Sequence, residues 1–79
     1  MPTVLNKDGF RFFFYSDEGN EPAHIHVKKG DAEGKIWLEP ISKVAYFNGF
    51  TNAEIKQITV IAFEYLEHFK KQWYGHFSQ

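Results

Sequence analysis

Cysteine is absent from this chain, which excludes a disulfide framework and any site built on thiolate ligands. A cysteine-free sequence with no secretory leader suits a reducing cytoplasm, and that is the expected location. Long apolar runs are missing too: none approaches the roughly 18 residues that a spanning helix needs. Repeats, low-complexity tracts and linker-like stretches are all lacking, so one domain is expected over residues 1–79. Nor is there an excess of either charge. Nine basic and ten acidic side chains leave a formal charge of −1, which argues against nucleic-acid binding by bulk charge.

What the chain has in abundance is aromatic rings. Nine Phe, four Tyr and two Trp make up 19% of it, and each ring can bury on the order of 150–250 Å². In a domain this small, which is marginally stable without staples, that load has two readings. Either the core is unusually aromatic, or some rings belong to a surface meant for a protein partner or a second copy.

Hydrophobic period sorts the chain into elements. Thr3-Val4-Leu5 and Phe10 to Tyr15 read as strands around an Asp8-Gly9 hairpin turn. Ser16 to Pro22 is polar and rich in turn formers, hence a loop. Ala23 to Val27 and Lys35 to Glu39 alternate as third and fourth strands, with a turn region over Lys28–Gly34. After Pro40, the spacing of Ile41, Val44 and Ala45 predicts a short helix ending at Asn48-Gly49, with a further strand as the alternative. Thr51-Asn52-Ala53-Glu54 is a capping box that opens a long amphipathic helix. Its core stripe is Ile55, Ile58, Ala62, Tyr65, Leu66, Phe69 and Trp73. Val60, Phe63 and Tyr74 fall off that stripe. Its polar face mixes Glu with Lys, unlike the basic face of a membrane-lying helix, so no membrane role is expected. The fold class is therefore α+β: a small antiparallel sheet of about four strands, order ββββαα, with a long C-terminal helix packed on one face.

Strand alternation divides the sheet residues between two faces. Ile25 and Val27 must meet the helix stripe, which leaves His24, His26, Lys28, Lys35 and Trp37 on the opposite face. The second strand is apolar on both sides. We place Arg11, Phe13 and Tyr15 on the histidine face, where a charge is better tolerated.

Several chemistries fit such a face. Residues i and i+2 of a strand project side by side, so His24 and His26 can reach one divalent metal ion. Glu21, Asp17, Glu18 or Glu39 is then the candidate third ligand, with His68 or His76 only if the fold brings them round. No cofactor is otherwise expected. Alternatively His24 and His26, with Arg11, Lys28 or Lys35 close by to stabilise developing charge, form a catalytic set for acid–base cleavage of RNA. Recognition without chemistry is the third reading. Arg11, Tyr15, Lys28, Lys35 and Trp37, with Val60 and Phe63 on the helix, form a candidate binding surface for a protein, or for single-stranded RNA or DNA. The plainest reading is that the two histidines merely cover the sheet, one of them hydrogen-bonded to Glu21 or Asp17.

Gly9-Phe10-Arg11-Phe12-Phe13-Phe14-Tyr15-Ser16 and Pro22-Ala23-His24-Ile25-His26-Val27 resemble an uncharacterised bacterial family of unknown function, DUF4160. Met1-Pro2-Thr3-Val4, Glu18 to Pro22, Lys35 to Leu38 and the Gly49-Phe50 step extend the similarity over nearly the whole chain. Ala23 stands where the family pattern suggests a second proline. The resemblance implies a small stand-alone cytoplasmic protein, with a protein partner encoded nearby in a toxin–antitoxin-like arrangement. It also makes Arg11, Tyr15, His24 and His26 the first residues to test.

Overall fold

The computed structural model describes residues 3–77, so the Met1-Pro2 part of the resemblance lies outside it. Five strands precede two helices: β1 Thr3–Lys7, β2 Phe10–Phe13, β3 His24–Lys29, β4 Ala32–Trp37, β5 Lys43–Asn48, α1 Asn52–Glu64 and α2 Leu66–Phe77. The strands form one antiparallel meander in chain order. Asp8 and Gly9 take φ of 54° and 85°, the paired positive angles of a tight hairpin. The expected turn over Lys28–Gly34 is shorter than its composition suggests, since β3 runs to Lys29 and β4 starts at Ala32.

The short helix expected after Pro40 is a fifth strand. Pairing of β5 with β4 passes from Lys35↔Tyr46 to Ile36↔Val44, which leaves Ala45 as an extra residue in a bulge. That extra residue breaks the two-residue alternation. Val44 and Phe47 then share the helix side of the sheet with Ile36 and Gly34, a spacing that mimics a helical repeat.

Pairing fixes the faces. Ile25 sits opposite Ile36, and Val27 opposite Phe12 and Gly34, on the side covered by α1. His26 sits opposite Phe13 and Lys35, and His24 opposite Trp37, on the other side. The placement of Arg11 and Phe13 on the histidine face is therefore correct. The core joins Phe10, Phe12, Ile25, Val27 and Ile36 to Ile58, Ile61, Ala62 and Phe69, each large side chain contributing roughly 1.5–3 kcal/mol by its burial.

The capping box forms as the sequence predicts: Glu54 N–H donates to Thr51 Oγ1 at 3.1 Å, and Thr51 N–H to Glu54 Oε1 at 2.9 Å. The long helix does not run unbroken. Tyr65 leaves helical geometry at φ −105°, ψ 14°, and α2 starts afresh behind it. No proline or glycine marks this break in the sequence. Beyond it Phe69 stacks on Phe12 at 5.3 Å, and Trp73 meets Phe14 at 5.3 Å and His24 at 4.7 Å.

Candidate functional site

The ten residues between β2 and β3 fold back across the histidine face. Glu18 N–H donates to the Tyr15 carbonyl at 3.3 Å, and Glu21 N–H to the Glu18 carbonyl at 3.1 Å. These turns swing the Glu18 carboxylate inward over β3. Its Oε1 lies 2.9 Å from His24 Nε2 and 3.0 Å from His26 Nε2, and it accepts the Tyr15 N–H at 3.1 Å. Oε2 lies 3.0 Å from His26 Nε2 as well. Burial alone would raise the Glu18 carboxyl; the contacts from His24, from the Tyr15 N–H and from His26 outweigh it and hold the group below its usual range.

This arrangement corrects the expectation of two imidazoles open to solvent. They do lie on the sheet face away from α1, but His24 is 0% and His26 8% exposed. The loop roofs them over. Trp37 and Trp73 wall His24 at ring separations of 5.4 and 4.7 Å, while Phe13 and Tyr15 flank His26 at 5.5 and 5.0 Å. His24 Nδ1 lies 2.9 Å from the Pro22 carbonyl oxygen. A carbonyl only accepts, so Nδ1 carries the hydrogen. The His24 contact to Glu18 is one of distance and not of direction, for Nε2 makes no hydrogen bond at all.

The other predicted residues spread out around this centre. Arg11 donates from Nε to Thr3 Oγ1 at 3.0 Å and lies 4.8 Å from the Phe13 ring. Lys35 pairs with Glu21 at 3.0 Å and lies 4.2 Å from the Trp37 ring. Tyr15 is half-exposed beside His26, and Lys28 is exposed. Of the four acids considered as third ligand, Glu18 is the one whose carboxylate lies within 3.0 Å of both rings. Among the described residues, Glu18, His24 and His26 are the one group whose ligand atoms gather, all within 4.8 Å of one another. Glu39 is engaged elsewhere, accepting from Tyr74 Oη at 2.8 Å. His68 lies far from the group, near the Val4 carbonyl at 3.4 Å.

Val60 and Phe63, both exposed on α1, border different hollows. Val60 borders a hollow with Lys7 and Asp8 at the first hairpin. Phe63, 81% exposed, lies one helical step away, towards β5. There it borders a groove with Ile36, Val44, Ala62 and Leu66. Sequence reasoning missed Trp73 as a wall of the histidine site, because its helical spacing marked it only as core. It equally missed Val44, hidden in the supposed short helix.

The sequence profile of one family of unknown function matches residues 9–74, from the first hairpin turn into the last turn of α2. The chain belongs to the DUF4160 family. No curated protein and no solved structure matches it. The matched stretch of this DUF4160 chain includes every residue of the Glu18, His24 and His26 cluster and the whole Val44–Phe63 groove. None of its described helices is long and apolar enough to cross a membrane.

Proposed function

We propose that this DUF4160 protein is a partner-binding module of a toxin–antitoxin-like pair, which docks a second protein in the groove between β5 and α1. The observation that carries the reading is Phe63, 81% exposed in a groove it shares with exposed Val44. A core already rich in rings has no use for a phenylalanine left in water, and clustered exposed apolar side chains mark contact surfaces. Strand addition along β5 is disfavoured, because the bulge at Ala45 and the charge on Lys43 blunt that edge. The occupant that fits is the apolar face of a partner's helix. Lys43 is the one charged residue lining the groove, so acidic side chains should flank the partner's apolar anchors.

The alternative of a histidine-dependent ribonuclease centred on His24 and His26 requires both rings at the scissile phosphate. His24 has no surface to offer it.

Co-expression with the product of the adjacent gene, followed by native mass spectrometry, tests the docking proposal. A one-to-one complex is expected, and Phe63→Asp should weaken it by about 30-fold, the loss typical of one central anchor. Unchanged assembly in Phe63→Asp and Val44→Asp, or self-assembly alone, would remove the groove from the interface.

A further inference from the structure

Among the described residues, His24 Nε2 is the one buried side-chain nitrogen or oxygen without a hydrogen bond. The Pro22 carbonyl fixes the hydrogen on Nδ1, 2.9 Å away. In the neutral ring Nε2 then presents a lone pair to Glu18 Oε1 at 2.9 Å, acceptor against acceptor. In the charged ring its N–H points past that oxygen and is buried unbonded. Either state leaves a polar atom unsatisfied in a closed site, which is costly. Both difficulties vanish if a cation sits between the two atoms and accepts both lone pairs.

We propose that Glu18, His24 and His26 bind one divalent transition-metal ion, through the Glu18 carboxylate and Nε2 of both rings. Four features of the cluster support this. The ligand atoms already converge, with His26 Nε2 at 3.0 Å from both carboxylate oxygens and the whole group within 4.8 Å. His24 has the outer partner that metal-bound histidines almost always keep, an Nδ1–H on a backbone carbonyl that aims Nε2 at the ion. Phe13, Trp37 and Trp73 wall the rings on the sides where water would compete. Two imidazoles with one carboxylate select zinc, iron, cobalt or nickel, not magnesium or calcium, which take all-oxygen sets. Three protein ligands leave positions open for water or a small anion, and the partly exposed edges of Glu18 and His26 face that side. The site is separate from the Phe63 groove and stands whether or not that groove binds a partner.

The test uses the full chain, stripped with a chelator and titrated in turn with Zn(II), Co(II), Ni(II), Mg(II) and Ca(II). Calorimetry should give one ion per chain for the transition metals, with micromolar or tighter dissociation constants, and no uptake of Mg(II) or Ca(II). Co(II) and Ni(II) should quench tryptophan emission, because Trp73 and Trp37 flank His24. Glu18→Gln keeps the size of the side chain and its acceptor for the Tyr15 N–H, so it should fold as judged by circular dichroism. It should bind at least about 100-fold more weakly, more than the loss of an outer-shell partner alone. His26→Gln, at the open side, is the second variant. The proposal is overturned if the wild type takes up none of the three transition metals saturably. It is equally overturned if Mg(II) or Ca(II) binds as tightly, or if both variants bind like the wild type.

Discussion

At the scale of single residues, this fold depends on where side chains are missing as much as on where they are large. The Phe47 ring lies across Gly34, and a Cβ built there would meet Phe47 Cδ1 at 2.5 Å and the Tyr46 carbonyl oxygen at 3.0 Å. The ring can swing, but the carbonyl belongs to the bulged strand and is held by its pairing with β4. Gly34→Ala should therefore destabilise the domain by about 1–3 kcal/mol, the range for overpacking. Urea denaturation reads this as a lower midpoint at constant slope. An unmoved midpoint would mean that Phe47 does not lie over Gly34 in solution. The same closeness explains why glycine interrupts an otherwise alternating β4: it admits a ring that joins β5 to Phe50 at 5.8 Å and so to the start of α1.

At the scale of elements, legibility followed the range of the interactions. The first hairpin and the capping box were readable because Asp8-Gly9 and Thr51 to Glu54 act on their own neighbours. β5 was not, because the bulge at Ala45 shifts its period, and a shifted strand period passes for a helical one over six residues. The pair His24 and His26 was legible as a site from alternation alone. Its burial was not, since it depends on Trp73, 49 positions after His24, and on turns that bring the Glu18 carboxylate in over both rings. The capping box also supports a prediction about acid. The Thr51 N–H first, and then Lys29 at 3.2 Å, hold the Glu54 carboxyl below its usual range. A carboxyl depressed in the folded state binds its proton more readily in the unfolded chain. Its stabilisation is thus fully present above the usual carboxylate range, and disappears as pH falls through the lower folded value. Glu18 and Glu39 are depressed as well, so the diagnostic quantity is a difference. The melting temperature of Glu54→Gln should lie below that of the wild type at neutral pH, and the two should converge in acid. Parallel curves would show that the Glu54 carboxylate does not stabilise α1.

At the scale of the whole molecule, Trp73 joins parts that lie far apart in the chain. Its ring meets Phe14 just past β2, His24 at the start of β3 and Phe77 at the end of α2, while Phe69 one turn earlier stacks on Phe12. Withdrawing α2 would open His24 to water and uncover the core at once, so neither the helix end nor the loop over β3 has an independent way to unfold. One core of this kind in 79 residues gives a global stability of about 4–12 kcal/mol at the usual 0.05–0.15 kcal/mol per residue. It should be lost in a single step. A Trp37→Phe variant leaves Trp73 as the sole indole and makes the point measurable. Its fluorescence should report the same urea midpoint and slope as far-ultraviolet circular dichroism, which follows the sheet and both helices together. Emission that changes at lower urea than the dichroism would show α2 detaching first. The histidine site would then be gated by that helix end, and not sealed by the fold as a whole.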